Sequence, residues 1–206
     1  MNPIVDIYNL VFFQPVYYGL LLLYKYLKDF GLSVVVLTVI IKLILFPLDY
    51  KNSKEQEKFL KIKKAIEQIG KKLNGEQKVK EIAAIYQKEK INPFFSLISL
   101  IIQLPILVAL YQVFLKSTNQ INPFFFGVLN LSVPNPILAS VAICFQIFYL
   151  WLSARMNKEI SPLKNPITLL LIPFTLIILI KLPSVISLYF TVTYLLLIVQ
   201  KYFFHV

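Results

Sequence analysis

The sequence predicts an all-α polytopic membrane protein. It has five transmembrane helices, an N-terminal interfacial amphipathic helix and a cytoplasmic helical hairpin. Three observations predict it. Hydrophobic residues make up 58% of the 206 residues and charged residues 15%, against roughly 45–50% and about 25% in an average soluble domain. Mean hydropathy is +0.72, and a chain of this length has too little interior to hide that much apolar surface from water. The formal charge of +11 is unevenly placed, with 12 of the 21 basic residues in residues 49–92. Membrane topology accounts for that clustering, and no direct nucleic-acid partner is expected.

Residues 1–30 form the first element. The run 10–24 carries Gln14, Pro15 and Gly19 and falls short of the roughly 20 residues that a spanning helix needs. Tyr8, Tyr17, Tyr18, Tyr24 and Tyr26, with Lys25 and Lys28, favour headgroups. An interfacial helix is expected over about 15–29, with an extra short span as the competing reading. Residues 1–10 contain Asp6 and no Lys or Arg. A cleavable leader is therefore not expected, and Met1 is expected near the mature N-terminus.

Residues 31–48 are the first span, with Lys42 as the one charge and Pro47 expected to close it. Residues 49–92 hold 12 Lys and seven acids. Phe59, Ile62, Ile66, Ile69 and Leu73 step by 3, 4, 3 and 4, and Val79, Ile82 and Tyr86 by 3 and 4. Two helices packed along one seam have that pattern. Ser53 and Gln56 resemble a capping box, and Asn74-Gly75 supplies a turn. The second span is 93–115, followed by a loop over 116–134. The third span is 135–153, then a basic loop over 154–165. A short fourth span over 166–180 and a turn at 181–184 lead to the fifth span, 185–204. The basic excess of 49–92 places that loop and the C-terminus in the cytoplasm and the N-terminus outside.

Lys42 is the most informative residue. A lysine at a span's centre costs roughly 2.5–3.5 kcal/mol on insertion scales. Either it stretches to the headgroups or it lines a hydrated pocket. Thr38 lies one turn before it. Ser96, Ser99 and Gln103 form a second polar stripe, and Ser184, Ser187, Thr191 and Tyr194 a third. Interhelical hydrogen bonding, worth around 0.6 kcal/mol per contact, explains any single Ser or Thr. It explains the lysine less well, because Asp and Glu are absent from all five expected spans. Cation pathways usually use intramembrane carboxylates, and no GxxxG pair appears. The one His is His205 and the one Cys is Cys144, inside an apolar run. No nucleophile–base pair, metal cluster or phosphate loop is visible. A cationic pocket without a catalytic set suggests binding of acidic or polar material from the cytoplasm.

Several motifs together resemble the YidC membrane protein insertase family, over about residues 15–200. Thr38 to Leu48, with Thr, a cation at Lys42 and Pro47-Leu48, is similar to the family's first core span, where Arg is usual. Asn92-Pro93, Ile102-Gln103-Leu104-Pro105-Ile106 and Ala109-Leu110-Tyr111 resemble the next, and Leu182-Pro183-Ser184 with Leu188-Tyr189 the last. The sequence departs from the family at Phe94-Phe95-Ser96, where Gly-Gly-Cys is common, and at Val185, where Gly is common. It also departs in having no hairpin Gln-Pro pair, and neither a large periplasmic domain nor a basic C-terminal tail is expected. Lys for Arg keeps the charge but loses the planar fork.

The resemblance implies five core helices around a hydrophilic groove open to the cytoplasm and lipid. The implied groove residues are Lys42, Thr38, Ser99, Gln103, Ser187, Tyr189 and Thr191. Phe59, Ile62, Ile66 and Tyr86 of the hairpin would capture clients. The implied clients are nascent membrane proteins in the bacterial cytoplasmic (inner) membrane. The general secretion channel, the ribosome and anionic lipid are the other implied partners. No cofactor, nucleotide or covalent chemistry is implied. A small channel or transporter and a non-inserting assembly scaffold are the alternative readings.

Overall fold

The computed structural model describes residues 3–72, 75–88, 95–117, 121–156 and 166–204. In chain order the elements are α1 (Pro3–Tyr8), a π-helical turn (Asn9–Phe13), α2 (Gln14–Leu27), α3 (Phe30–Lys72), α4 (Gly75–Lys88) and α5 (Phe95–Ser117). A small hairpin, β1 (Phe124–Phe125) and β2 (Leu129–Asn130), precedes α6 (Pro136–Met156), α7 (Pro166–Lys181) and α8 (Ser184–Phe204). The described residues are therefore all-α apart from one short hairpin. Among them, four stretches are long and apolar enough to cross a membrane: Val5–Leu27, Phe30–Lys51, Pro136–Met156 and Ser184–Phe203. Shorter apolar stretches lie in α5 and α7, over Gln103–Lys116 and Ile172–Lys181.

The N-terminal helix begins much earlier than the expected start near residue 15. Pro15 has no N–H, and its ring would strike the carbonyl of Val11 in a regular α-turn. The preceding residues open into a π-turn instead, and Gln14 N–H reaches back to Asn9 O. The helix is apolar over 23 residues and has polar partners in and just after α5. The Tyr8 hydroxyl donates to Gln112 Oε1 (2.9 Å). The Lys116 ammonium lies over the rings of Phe13 and Tyr17, and Asn122 N–H donates to the Tyr24 hydroxyl (3.3 Å). Gly19 lies against Leu37 of α3, and α2 packs on both α3 and α5.

Two residues turn the chain from α2 into α3. Lys28 adopts a left-handed conformation (φ 56°) and donates its N–H to Tyr24 O (2.9 Å), an αL helix stop. Asp29 then caps α3. Its Oδ1 accepts from Leu32 N–H (2.7 Å) and its carbonyl from the Ser33 hydroxyl (2.6 Å), which satisfies donors that a helix start leaves open. Its Oδ2 accepts from Phe126 N–H (2.6 Å). That bond ties the start of α3 to the β1–β2 turn.

The turn has Phe126 and Gly127 at φ 50° and 69°, the type I′ geometry that matches strand twist. Phe125 lies against Gly31 so closely that a Cβ there has no room. Leu131 O accepts from Val185 N–H (3.2 Å), and Val133 O accepts from both the N–H and the hydroxyl of Ser184. Residues 121–135 thus form a cap across the starts of α3 and α8. Beneath it, Phe30, Val34, Val113, Leu131, Val185 and Ile186 are buried.

α8 is the central helix and packs on α3, α5, α6 and α7. Residues 184–190 are all buried. The outer faces stay apolar and exposed, as at Leu43, Ile44, Val108, Phe148, Trp151 and Ile177. Apolar surface of that extent suits lipid rather than water.

At Pro47 the structure departs from the sequence expectation. α3 runs through it as one 43-residue helix. Pro47 costs one backbone bond and crowds the carbonyl four residues earlier, but amphipathic sequence on its far side sustains the helix. Ser53 therefore lies inside a helix and not at its start. α4 packs back on α3, and Gly75 opens it at φ 64°.

Candidate functional site

Lys42 is buried and has an acidic partner. Its ammonium lies 3.1 Å from Asp49 Oδ2, and the two side chains are 6% and 14% exposed. This overturns the expectation of a lysine without a carboxylate to neutralise it. Reading Pro47 as a stop put Asp49 outside the span. With the helix unbroken, Asp49 sits seven residues on, almost two turns along the same face. The lysine does stretch toward the hairpin end, but it ends on a half-buried carboxylate.

Thr38, one turn above Lys42, is 2% exposed. Its hydroxyl donates to Val34 O (2.7 Å), so its proton is committed to its own helix. Thr191 is half-buried and does the same with Ser187 O (2.8 Å). Ser187 is fully buried, and its hydroxyl has no partner among the described residues. The Gln103 amide of α5 donates to the Tyr189 hydroxyl of α8 at 2.7 Å. That bond brings the second and third polar stripes together, and α3 packs against both helices. The Lys42–Asp49 pair on α3 and the Gln103–Tyr189 bond between α5 and α8 thus lie on helices that pack together.

Ile66 is half-buried on α3. The side chains of Ser99, Phe59, Ile62 and Tyr86 lie outside the described residues. Sequence reasoning missed a polar contact between α6 and α7. There Gln146 of α6 donates to the Thr175 hydroxyl of α7 (3.3 Å). Gln146, Ser153, Thr175 and Thr193 are all at most 5% exposed. The signal was an amide in mid-span at Gln146, one helical heptad from Ser153. Among the described residues, no group of three or more His, Cys, Asp or Glu could hold a metal ion.

A family model described as 60Kd inner membrane protein matches residues 22–206. The chain belongs to this family, the YidC family. It is 31% identical over 162 residues to the membrane protein insertase YidC of Rickettsia bellii, covering 77% of this chain and 28% of that protein. It is 35% identical over 128 residues to the YidC insertase of Caulobacter vibrioides, covering 61% of this chain and 21% of the relative. The chain thus spans less than a third of the length of these YidC relatives. The crystal structure of an active YidC insertase with its first transmembrane domain resolved superimposes with a TM-score of 0.67 at 24% identity. That match covers 95% of this chain and 46% of the other, and it shows a shared YidC fold. This YidC-family chain is a multi-pass inner-membrane protein.

Proposed function

We propose that this chain is an insertase that helps short polar segments of nascent membrane proteins across the bilayer. One observation carries the reading. An ion pair and an interhelical hydrogen bond lie inside helices whose outer faces are apolar, while a largely apolar cap crosses one end of the bundle. An unaided polar segment crosses hydrocarbon at several kcal/mol per unsatisfied backbone group. A hydrated groove containing Lys42, Thr38, Ser99, Gln103, Ser187, Tyr189 and Thr191 shortens that path. The client's apolar helix meanwhile moves along the outer face into lipid, and its burial drives the process without a nucleotide.

In this reading the hairpin is cytoplasmic and the N-terminus is outside, as the concentration of Lys in residues 49–92 favours. In the same reading the N-terminal helix lies at the outer interface, as its tyrosines and lysines favour. The hairpin, through Phe59, Ile62, Ile66 and Tyr86, receives clients, and its lysines rest on anionic lipid. The general secretion channel and the ribosome are candidate partners on the same grounds.

The test is reconstitution of the purified chain in vesicles with a single-span client and a protease-protection readout. Client segments protected above the protein-free level are expected. Ion or solute flux without protection would favour a channel. Neither flux nor protection, with client folding still improved, would favour a scaffold.

A further inference from the structure

We infer that Asp49 is a specificity-determining residue of the insertion site, holding Lys42 in a neutral pair so that acidic client segments gain no advantage over uncharged polar ones. The inference rests on the insertase reading above. Its basis is the buried contact of 3.1 Å between the two side chains, on one unbroken helix. A lone ammonium attracts a carboxylate with an energy that falls as the inverse of distance. A closed ion pair presents only a dipole, whose attraction falls faster. An incoming acidic segment must displace Asp49 before it meets a free cation. A serine- or asparagine-rich segment needs no displacement, because it can bond to polar groups such as Gln103 and Tyr189 on the helices packed against α3. A basic segment finds the Asp49 carboxylate as near as the ammonium. Asp49 thus makes the site tolerant of charge, and a chain without it would select for acid.

The experiment uses the full chain in phosphatidylethanolamine–phosphatidylglycerol vesicles. Two single-span clients differ only in three translocated positions, Asp in one and Asn in the other. The readout is the ratio of protease-protected acidic to neutral client, which a merely structural role would not move. Wild type is expected to give a ratio near one. Asp49→Asn and Asp49→Thr are expected to raise it about fivefold, the effect of roughly 1 kcal/mol of released attraction. Adding Lys42→Ala to Asp49→Asn should return it to the wild-type value. Insertion of both clients with an unchanged ratio in the Asn and Thr variants overturns the inference and leaves the insertase reading standing. Loss of both clients in both variants makes Asp49 structural and also overturns it. If wild type protects neither client above protein-free vesicles, both readings fall.

Discussion

The Tyr189 hydroxyl on α8 accepts a 2.7 Å hydrogen bond from the Gln103 amide on α5, 86 residues earlier in the chain. It joins two helices otherwise held by apolar packing, so its worth should be that of a membrane-buried pair. Gln103→Leu and Tyr189→Phe should each lower stability in detergent by about 0.6–1.7 kcal/mol. The double variant should cost less than the sum of the two. Additive losses in a double-mutant cycle would mean that the two side chains do not interact.

Removing one member of a buried ion pair is worse than removing both. Lys42→Ala leaves the Asp49 carboxylate inside the bundle without its cation, at a cost of about 3–5 kcal/mol. Lys42→Ala/Asp49→Asn should recover a large part of that loss. Thermal unfolding of the two variants in one detergent checks this. Lys42→Arg keeps the charge and should stay close to wild type.

Gly31 has no space for a side chain because the Phe125 ring and its Cβ fill the position. Gly31→Val should force the β1–β2 hairpin off the start of α3 and destabilise the chain by about 1–3 kcal/mol, the range for overpacking. Phe125→Ala should relieve Gly31→Val. If Phe125→Ala deepens the defect instead, the contact is not what makes Gly31 necessary.

Asp29 accepts bonds from both α3 and the cap. Asp29→Ala should cost about 1–2 kcal/mol from the lost helix cap alone. It should also expose residues 121–135 to a protease added on that face. Asp29→Asn keeps an oxygen for Leu32 N–H and should preserve more of the cap. Equal protease sensitivity in the two variants would contradict this assignment.

The helical, membrane-embedded character was legible in composition and run length, and the family in short ordered motifs. Local readings failed where a distant or downstream residue decides the geometry. Pro47 carries a stop signal, but one missing hydrogen bond did not outweigh the helix-forming sequence beyond it. Asp49 was therefore counted in the wrong element. Ser184, Ser187, Thr191 and Tyr194 do share a helical stripe, yet their bonding differs in ways that spacing does not reveal. Ser184 is tied to Val133, Thr191 to its own backbone, and Ser187 is buried without a partner among the described residues. The bonds of Asp29 to Phe126 and of Tyr8 to Gln112 cross about a hundred residues of chain, and nothing local announces them.

α3 carries the buried pair and the first arm of the hairpin on one rod of 43 residues, about 64 Å long at 1.5 Å per residue. It has no hinge loop where the two regions meet. A push on the distal arm is therefore felt as torque at Lys42 and Asp49, with Pro47, between them, the softest point along the lever. On the proposed insertase reading, a client docking at one end would load the ion pair at the other.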